Sequence, residues 1–296
     1  LLVLDAIERV EVSVRSQWAY QLAHQHGPHA HLDVTLAFKP HLWQPNLDKL
    51  SDEVGRYDEA FITHLQNTYS ESLPPVWAVC EVMSLGLLSR WYNNLKPIPT
   101  RRAIAAAYGV DEKVLESWLR HLSLVRNTCA HHSRLWNREF TITPLLPRNK
   151  PAGLAAQFHG GSRKLYNALV ILLHCMDVIA PQHHWRSRLK GLIARHGGSV
   201  AALDFPANWQ NLPIWQDPKP GTPKQETGEP KAKKDYSEDL LIQAPSAELL
   251  EQQLGWESVF AQDEGAKGGW GPDSLLGRAS DAEVVLTRDV LAALKR

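Results

Sequence analysis

An amphipathic helix is clearest between residues 115 and 138, where the chain reads LESWLRHLSLVRNTCAHHSRLWNR. Apolar side chains recur there at spacings of three and four residues, which places them on one face of a helix. The pattern predicts a helix from about Asp111 towards Leu135. Its buried stripe consists of Leu115, Trp118, Leu122, Val125 and Cys129. Cys129 lies on this stripe, so we expect it to serve packing and not as a nucleophile.

A polar stripe is expected on the opposite side of the same helix. It begins nine residues after Trp118, a rotation of about 180° at 3.6 residues per turn. If the helix continues that far, spacings of four, three and four align Asn127, His131, Arg134 and Arg138. An ordinary soluble face mixes charges of both signs, yet no carboxylate follows until Glu139. We therefore expect a phosphate-binding groove here instead of a merely solvated surface.

The segments around this helix are also helical in pattern. Val3, Ile7, Val10 and Val14 predict a first helix that ends near residues 26–28. Two prolines precede an apolar helical segment at 76–92, and a further helix is expected at 162–179. Strand-like alternation is scarce outside residues 140–143, so we predict a mainly α-helical domain from residue 1 to about 216.

Charge is distributed unevenly along the chain. The total is 32 basic and 32 acidic residues, but residues 101–196 carry 15 basic and 5 acidic side chains, against 7 and 11 in residues 1–100. Residues 217–296 carry 10 and 15. A basic segment between acidic ones is typical of a surface that binds a polyanion.

Composition limits the other classes of protein. Hydrophobic residues make up 44% of the 296, enough to build a core. The three cysteines are widely spaced, which excludes a disulfide framework and favours a cytoplasmic protein. No apolar run is long enough to cross a membrane. Because the chain begins with Leu1 and stops at Arg296 inside a helical pattern, we expect both natural ends to be missing.

The clearest boundary in the sequence lies at residues 217–235. Four prolines and two glycines stand there among five lysines, so we predict a flexible linker. Residues 236–296 follow it as a short, incomplete helical segment that is too small to build an independent core.

Arg126, Asn127 and His131 have the spacing of an RNxxxH motif, which resembles that of the HEPN superfamily of nucleotide-binding and ribonuclease domains. The stretch RNTCAHHSRLWNR at 126–138 is preceded by PPVWAVCEVMSLGLLSRWYNNL at 74–95 and IERVEVSVRSQWAYQLAHQHGPHAH at 7–31. Together these blocks resemble the abortive-infection (AbiD/AbiF-type, Abi-like) family of bacterial phage-defence proteins. The resemblance covers residues 1–216 and implies a HEPN-like helical fold.

The resemblance also implies a metal-independent endoribonuclease without a cofactor. In such cleavage a 2′-hydroxyl attacks the adjacent phosphate. His131 suits proton transfer because histidine ordinarily titrates near pH 6.5, and Arg126 suits the developing anion because its guanidinium is always charged. Asn127 would orient the imidazole or a phosphate oxygen. The expected RNA-binding residues are His132, Arg134, Asn137 and Arg138.

Helix geometry raises a difficulty for a site within one chain. Arg126 and His131 are five positions apart, about 140° around a straight helix, so they cannot converge on one phosphate from one face. Either the helix is irregular there, or a second copy completes the groove. HEPN relatives commonly dimerise across this motif, so we favour a homodimer.

Further polar residues have weaker predicted roles. Glu8, Glu11 and Arg15 are predicted to form ion pairs at the surface. They lie in the stretch at 7–31 that resembles the Abi-like family, and this resemblance makes Glu8 and Arg15 candidates for a supporting role near the groove. Glu81 stands in an apolar helix, where a buried carboxylate needs a partner. That partner is expected to be an arginine or histidine of the motif helix. The histidines at 24, 26, 29 and 31 favour a polar turn over a zinc site, since they have no cysteine nearby.

The last part of the sequence has its own resemblance. SEDLLIQAPSAELLEQQLGWESVFAQDE and LGRASDAEVVLTRDVLAALKR resemble the start of the R subunit of type I restriction enzymes. No GxxxxGK[ST] P-loop is present, so we expect this segment to be inactive alone and, at most, to contact restriction subunits. Two alternatives to the ribonuclease stay open. One is a non-catalytic RNA-binding module, and the other is an accessory of a type I restriction system.

Overall fold

The computed structural model describes residues 1–56, 62–65, 70–196 and 199–216, and this part of the chain is mainly helical. Its helices, in chain order, are α1 (Leu2–His26), α2 (Pro40–Arg56), α3 (Val76–Val82), α4 (Leu85–Asn94), α5 (Ile98–Ala106), α6 (Glu112–Ala130), α7 (Tyr166–Ile179) and α8 (Trp185–His196). The described residues form no β-strand, although an isolated antiparallel bridge joins Ala37 to Leu95.

The prediction of a mainly α fold is confirmed, with corrections to three helices. The segment at 76–92 is two helices, because Ser84 interrupts it and caps α4 through its hydroxyl, which accepts the Leu87 N–H at 3.4 Å. Helix α7 begins at Tyr166, four residues later than expected. Helix α6 ends at Ala130, short of Leu135. The predicted linker at 217–235 and the segment at 236–296 lie outside the described residues.

Helix α1 lies at the centre of the packing and contacts α3, α4, α5, α6, α7 and α8. Its apolar face is fully buried along most of its length, as at Ile7, Val14 and Trp18. Helix α7 packs alongside it and is buried on nearly all sides from Tyr166 to Leu173. A helix that is apolar all round is stable only inside a core, so α1 and α7 together define the interior.

Helix α6 packs against α4 with the apolar stripe that its sequence predicts. Leu115, Trp118, Leu122 and Val125 are each at most 2% exposed. The chain after α6 then returns along the helix, tied to it by polar side chains. Trp118 Nε1 donates to the Leu145 carbonyl at 3.0 Å, and His121 Nδ1 lies 2.6 Å from the Ile142 carbonyl oxygen. Residues 140–143 therefore form no strand: they bend at 141–142 and are held on α6.

The C-terminal described residues, 199–216, are fastened to α7 and α8. Phe205 and Trp215 pack on Tyr166 with ring centroids 4.9 and 6.1 Å away. Arg186 of α8 is buried and donates to both oxygens of Asp177 at 2.6 and 2.7 Å. These contacts complete the core around α7. None of the helices in the described ranges is long and apolar enough to cross a membrane.

Candidate nucleic-acid interface

Helix α6 ends in a Schellman motif at the predicted site. His132 has φ of 52°, its N–H donates to the Cys129 carbonyl at 3.0 Å, and the Ser133 N–H donates to the Thr128 carbonyl at 3.0 Å. This is the pair of backbone bonds that closes helices at a left-handed residue. Glycine is the usual residue there because it has no Cβ, whereas this chain uses histidine.

The helix end corrects the expected polar stripe. Asn127 lies in the last turn of α6 and His131 is its C-cap, with the His131 N–H bonded to the Asn127 carbonyl at 3.0 Å. Arg134 and Arg138 lie beyond the helix and cannot continue its face. The predicted groove along one straight helix is therefore wrong, and its residues belong to a helix end and the loop after it.

Arg126 points towards α1, where it meets a carboxylate. Its Nε lies 4.0 Å from Glu11 Oε2, an ion-pair distance and not a hydrogen bond. Glu11 is only 4% exposed, and its other oxygen accepts from Arg15 at 2.5 Å. We call Glu11, Arg15 and Arg126 the arginine–glutamate cluster. Among the described residues, the Arg126 Nε is buried and makes no hydrogen bond, while the side chain as a whole keeps 35% of its surface exposed.

Arg15 fixes this cluster to the rest of the fold. It donates to the backbone carbonyls of Glu81, at 3.1 Å, and Met83. These carbonyls lie at the end of α3, where a helix leaves acceptors unpaired. Arg15 therefore joins α1 to α3, and its supporting role near the groove stays a prediction.

Glu81 does not behave as its sequence position suggests. The prediction of a buried carboxylate paired with the motif helix is wrong, because the Glu81 side chain is exposed and only its backbone carbonyl accepts from Arg15. Its neighbours Cys80 and Val82 are buried, so Glu81 lies on the solvent side of α3. Glu8 is exposed as well, so it lies outside the arginine–glutamate cluster.

The burial of Glu11 differs from the prediction. The sequence suggested a surface ion pair, yet Glu11 is buried together with Ile7 and Val14. Those neighbours lie four residues before and three residues after it, so the spacing already placed Glu11 on the apolar face of α1. A carboxylate at such a position needs cationic partners, and Arg15 and Arg126 supply them.

His131 and Arg126 are not brought together within this chain. His131 and Asn127 are exposed, and no hydrogen bond or ion pair joins His131 to Arg126 in the part of the chain that the structure describes. The arginine is held against α1, while the imidazole stands at the helix terminus. The geometry thus keeps the difficulty that the sequence predicted for a site in one chain.

Residues 131–139 form an exposed, cationic loop, which we call the basic loop. Its exposed residues include every predicted RNA-binding residue, namely His132, Arg134, Asn137 and Arg138. Leu135 packs partly on the core, and Phe140 closes the loop, with its N–H bonded to the Arg163 carbonyl at 2.7 Å. Within the described ranges, neither Arg134 nor Arg138 forms an ion pair. Both charges can therefore bind an external anion.

Two cavities lie away from the basic loop. A cleft of about 850 Å³ is found at the N-terminal end of α6, where basic residues such as Arg102 and Lys150 mix with Asp111 and Glu112. A much smaller one, of about 10 Å³, is lined by Trp18, Trp91 and His31. That volume is about enough for one water molecule. No motif residue lines either cavity, so neither changes the assignment of the site.

The remaining cysteine and histidine predictions concern packing. Burial raises the pKa of the Cys129 thiol, which disfavours the thiolate that a nucleophile needs. The histidines at 24–31 have different contacts, and the rings of His29 and His31 lie 6.1 Å apart. His24 packs on Tyr20, and His26 lies 2.9 Å from the Thr100 hydroxyl. No group of three possible metal ligands occurs within the described residues.

The fold and the site define a class of protein before any comparison: an α-helical protein in which a buried arginine–glutamate cluster and an exposed basic loop adjoin the C-terminal end of α6. Residues 1–137 match the family model described as Abi-like protein. The match contains α1, α6 and most of the basic loop, and it supports the Abi-like assignment of this region. No curated protein and no solved structure matches the chain.

Proposed function

We propose that this protein acts in abortive infection, a form of phage defence, by cleaving RNA without a metal ion. The observation that carries the proposal is the end of α6, where Arg126, Asn127 and His131 adjoin a loop with unpaired arginines. The Abi-like match over residues 1–137 supports the biological setting. The RNxxxH spacing supports a HEPN-type reaction.

The reaction would use the chain's own side chains. The 2′-oxygen of a ribose forms a bond to the adjacent phosphorus, and the bond from phosphorus to the 5′-oxygen breaks. His131 would take the proton of the 2′-hydroxyl and then return it to the leaving 5′-oxygen, so that the proton count balances. Arg126 donates to the phosphorane oxygens, whose negative charge grows in the transition state. The products are a 2′,3′-cyclic phosphate and a free 5′-hydroxyl.

A homodimer is the arrangement that we propose for this site. The exposed His131 and the α1-facing Arg126 do not converge within one chain. A second copy related by a two-fold axis would place the same residues opposite each other. Arg126 of one protomer and His131 of its partner would then act on one phosphate.

The first experiment separates the candidate functions. Single-stranded RNA is incubated with the full chain in EDTA, and the product ends are identified. We expect cyclic-phosphate ends from the wild type and none from His131→Ala, while His131→Ala keeps its RNA affinity within a few-fold. Arg126→Ala should lose both cleavage and affinity because a permanent charge is removed. His41→Ala, an exposed histidine on α2, is the matched control and should cleave normally.

Other outcomes favour the alternatives. Tight RNA binding without cleavage by the wild type would indicate a non-catalytic RNA-binding module. Magnesium-dependent cutting of DNA would favour an accessory of a restriction system acting through residues 236–296. Either result would refute the ribonuclease.

A second experiment tests the shared site. Arg126→Ala and His131→Ala proteins are each inactive, and they are mixed under conditions that allow subunit exchange. If each site takes Arg126 from one protomer and His131 from the other, a mixed dimer has one intact site, and about a quarter of wild-type activity should return. If each protomer carries its own site, mixing restores nothing, and the shared-site arrangement is wrong.

A further inference from the structure

Trp136 is an exposed aromatic residue in the middle of the basic loop. Its side chain is 41% exposed, although its sequence neighbour Leu135 packs on the core and Phe140 is 1% exposed. Leu135 and Phe140 thus anchor the loop on both sides of the indole. Among the large apolar side chains that are exposed in the described residues, Trp136 is the one that lies in the basic loop.

The backbone around Trp136 is held in an uncommon conformation. His132 and Asn137 have φ of 52° and 51°, in the left-handed region that residues with a side chain rarely adopt. Asn137 directly follows Trp136, and His132 begins the loop. Left-handed non-glycine residues persist only where the surroundings fix them, and they cluster at binding sites. The loop therefore presents the indole in a defined way.

Charge around Trp136 selects the kind of ligand. Arg134 and Arg138 flank it two residues away on either side and are exposed, and Glu139 is the only carboxylate of the loop. A flat apolar ring between two cations matches a ligand that alternates flat rings with anions. A nucleic acid strand has this alternation, since each base is followed by a phosphate.

We propose that Trp136 stacks on a nucleobase of single-stranded RNA while Arg134 and Arg138 bind the phosphates on either side. This inference rests on the proposed function and adds the form of the substrate. In a duplex both faces of a base are covered by its neighbours, whereas an unpaired base can stack on an aromatic side chain. Trp136 thereby makes the site selective for unpaired RNA.

The test measures RNA binding by the full-length chain in the His131→Ala background, so that RNA stays intact. The probes are a single-stranded oligoribonucleotide, a copy with one abasic position placed at each site in turn, and the corresponding duplex. Trp136→Ala should weaken single-strand binding by about 5- to 150-fold, the equivalent of ~1–3 kcal/mol for one stacked base. Trp136→Phe should recover most of that loss, and duplex binding should not change.

The abasic probes identify the base that stacks. At one position, removal of the base should weaken binding of the RNA by the parent protein. The same removal should not change binding of the RNA by Trp136→Ala. Phe38→Ala is the matched control, because Phe38 is an aromatic residue 65% exposed outside the loop. It should bind every probe as the parent does.

The outcomes separate this inference from the function on which it rests. If the parent binds RNA but Trp136→Ala binds it as tightly as Phe38→Ala does, stacking is refuted and the proposed function stands. Equal losses on single strands and duplex, or a loss that accompanies dissociation of a dimer, also contradict stacking and indicate a structural or interface role. If the parent binds no RNA, both proposals fail together.

Discussion

The two ends of the RNxxxH spacing lie in opposite environments. Arg126 faces α1 in the arginine–glutamate cluster, where Glu11 is 4% exposed and contacts come from residues far apart in sequence. His131, five residues later, is exposed at the start of the basic loop. About 1.4 turns of helix thus separate a side chain that is held by tertiary contacts from one that is exposed to solvent.

This difference separates stability from binding. Side chains of the arginine–glutamate cluster connect α1, α3 and α6, so changes there should affect the free energy of unfolding. The exposed side chains of the basic loop touch little of the fold, so changes there should affect RNA binding or cleavage and leave the unfolding free energy nearly unchanged.

The largest effect is expected at Glu11. Glu11→Gln keeps the shape of the side chain but leaves Arg15 and Arg126 adjacent without a negative charge. We expect a loss of about 3 kcal/mol in unfolding free energy, at the low end for breaking a buried ion pair, because Arg126 keeps 35% of its side-chain surface exposed. Urea titration followed by circular dichroism measures it.

Glu8→Gln is the control for Glu11→Gln. Glu8 lies one turn earlier on α1 and is exposed, so its change should stay within about 0.5 kcal/mol. Equal stability of the two variants would mean that the arginine–glutamate cluster adds nothing to the fold.

The second effect concerns pH and two histidines. His31 is 1% exposed, and burial, with a smaller contribution from His29, lowers its pKa from 6.5 to about 3. Between those values the unfolded chain binds a proton that the folded chain does not. The stability linked to His31 is therefore complete above about pH 6.5 and is lost as the pH falls towards 3. From pH 7.5 to pH 5 the loss should be about 2 kcal/mol.

Two substitutions isolate the contribution of His31. His31→Phe removes the titrating group. When the pH is lowered from 7.5 to 5, the unfolding free energy of this variant should therefore decrease less than that of the wild type. His131→Phe changes the exposed histidine and should keep the wild-type pH dependence. Burial also lowers the pKa of His121, so some dependence should remain in every variant. If the unfolding free energy of His31→Phe depends on pH as strongly as that of the wild type, the assignment of this pH dependence to His31 is wrong.

Most of the helices could be predicted because burial imposes its period on the sequence. The apolar positions of α1 and α6 repeat at three and four residues, and the structure buries them as expected. The end of α6 could not be predicted in this way. A left-handed closing residue is ordinarily recognised as glycine or asparagine, and here it is His132, so the helical pattern seemed to continue.

The candidate site was predictable as a group of residues but not as an arrangement. The motif located Arg126 and His131, yet only tertiary structure shows Arg126 turned towards Glu11. The burial of individual carboxylates was harder to predict than the burial of apolar residues. Glu81 was expected inside and lies outside, while Glu11 was expected at the surface and lies inside. Which carboxylate is buried depends on which helices pack together, and the sequence of one helix does not contain that information.

The smallest effect on stability is expected in the basic loop, from the double substitution Arg134→Ala and Arg138→Ala. Both side chains are exposed and form no ion pair within the described ranges, so the unfolding free energy should change by less than about 0.5 kcal/mol per site. RNA affinity should nevertheless fall. Each phosphate contact contributes about 0.7 to the salt dependence on single strands, so the slope of log affinity against log salt should flatten by roughly 1 to 1.5.

A matched pair of substitutions elsewhere distinguishes a local contact from a general loss of charge. Arg9 and Arg102 are exposed arginines outside the basic loop, so Arg9→Ala with Arg102→Ala removes the same charge. It should leave the salt slope nearly unchanged, because charges that do not contact phosphate release no counterions. If both double variants flatten the slope equally, the attraction belongs to the whole basic surface. If the loop variant keeps its slope but unfolds more easily, Arg134 and Arg138 serve the fold, and the division between a stabilising cluster and a binding loop fails.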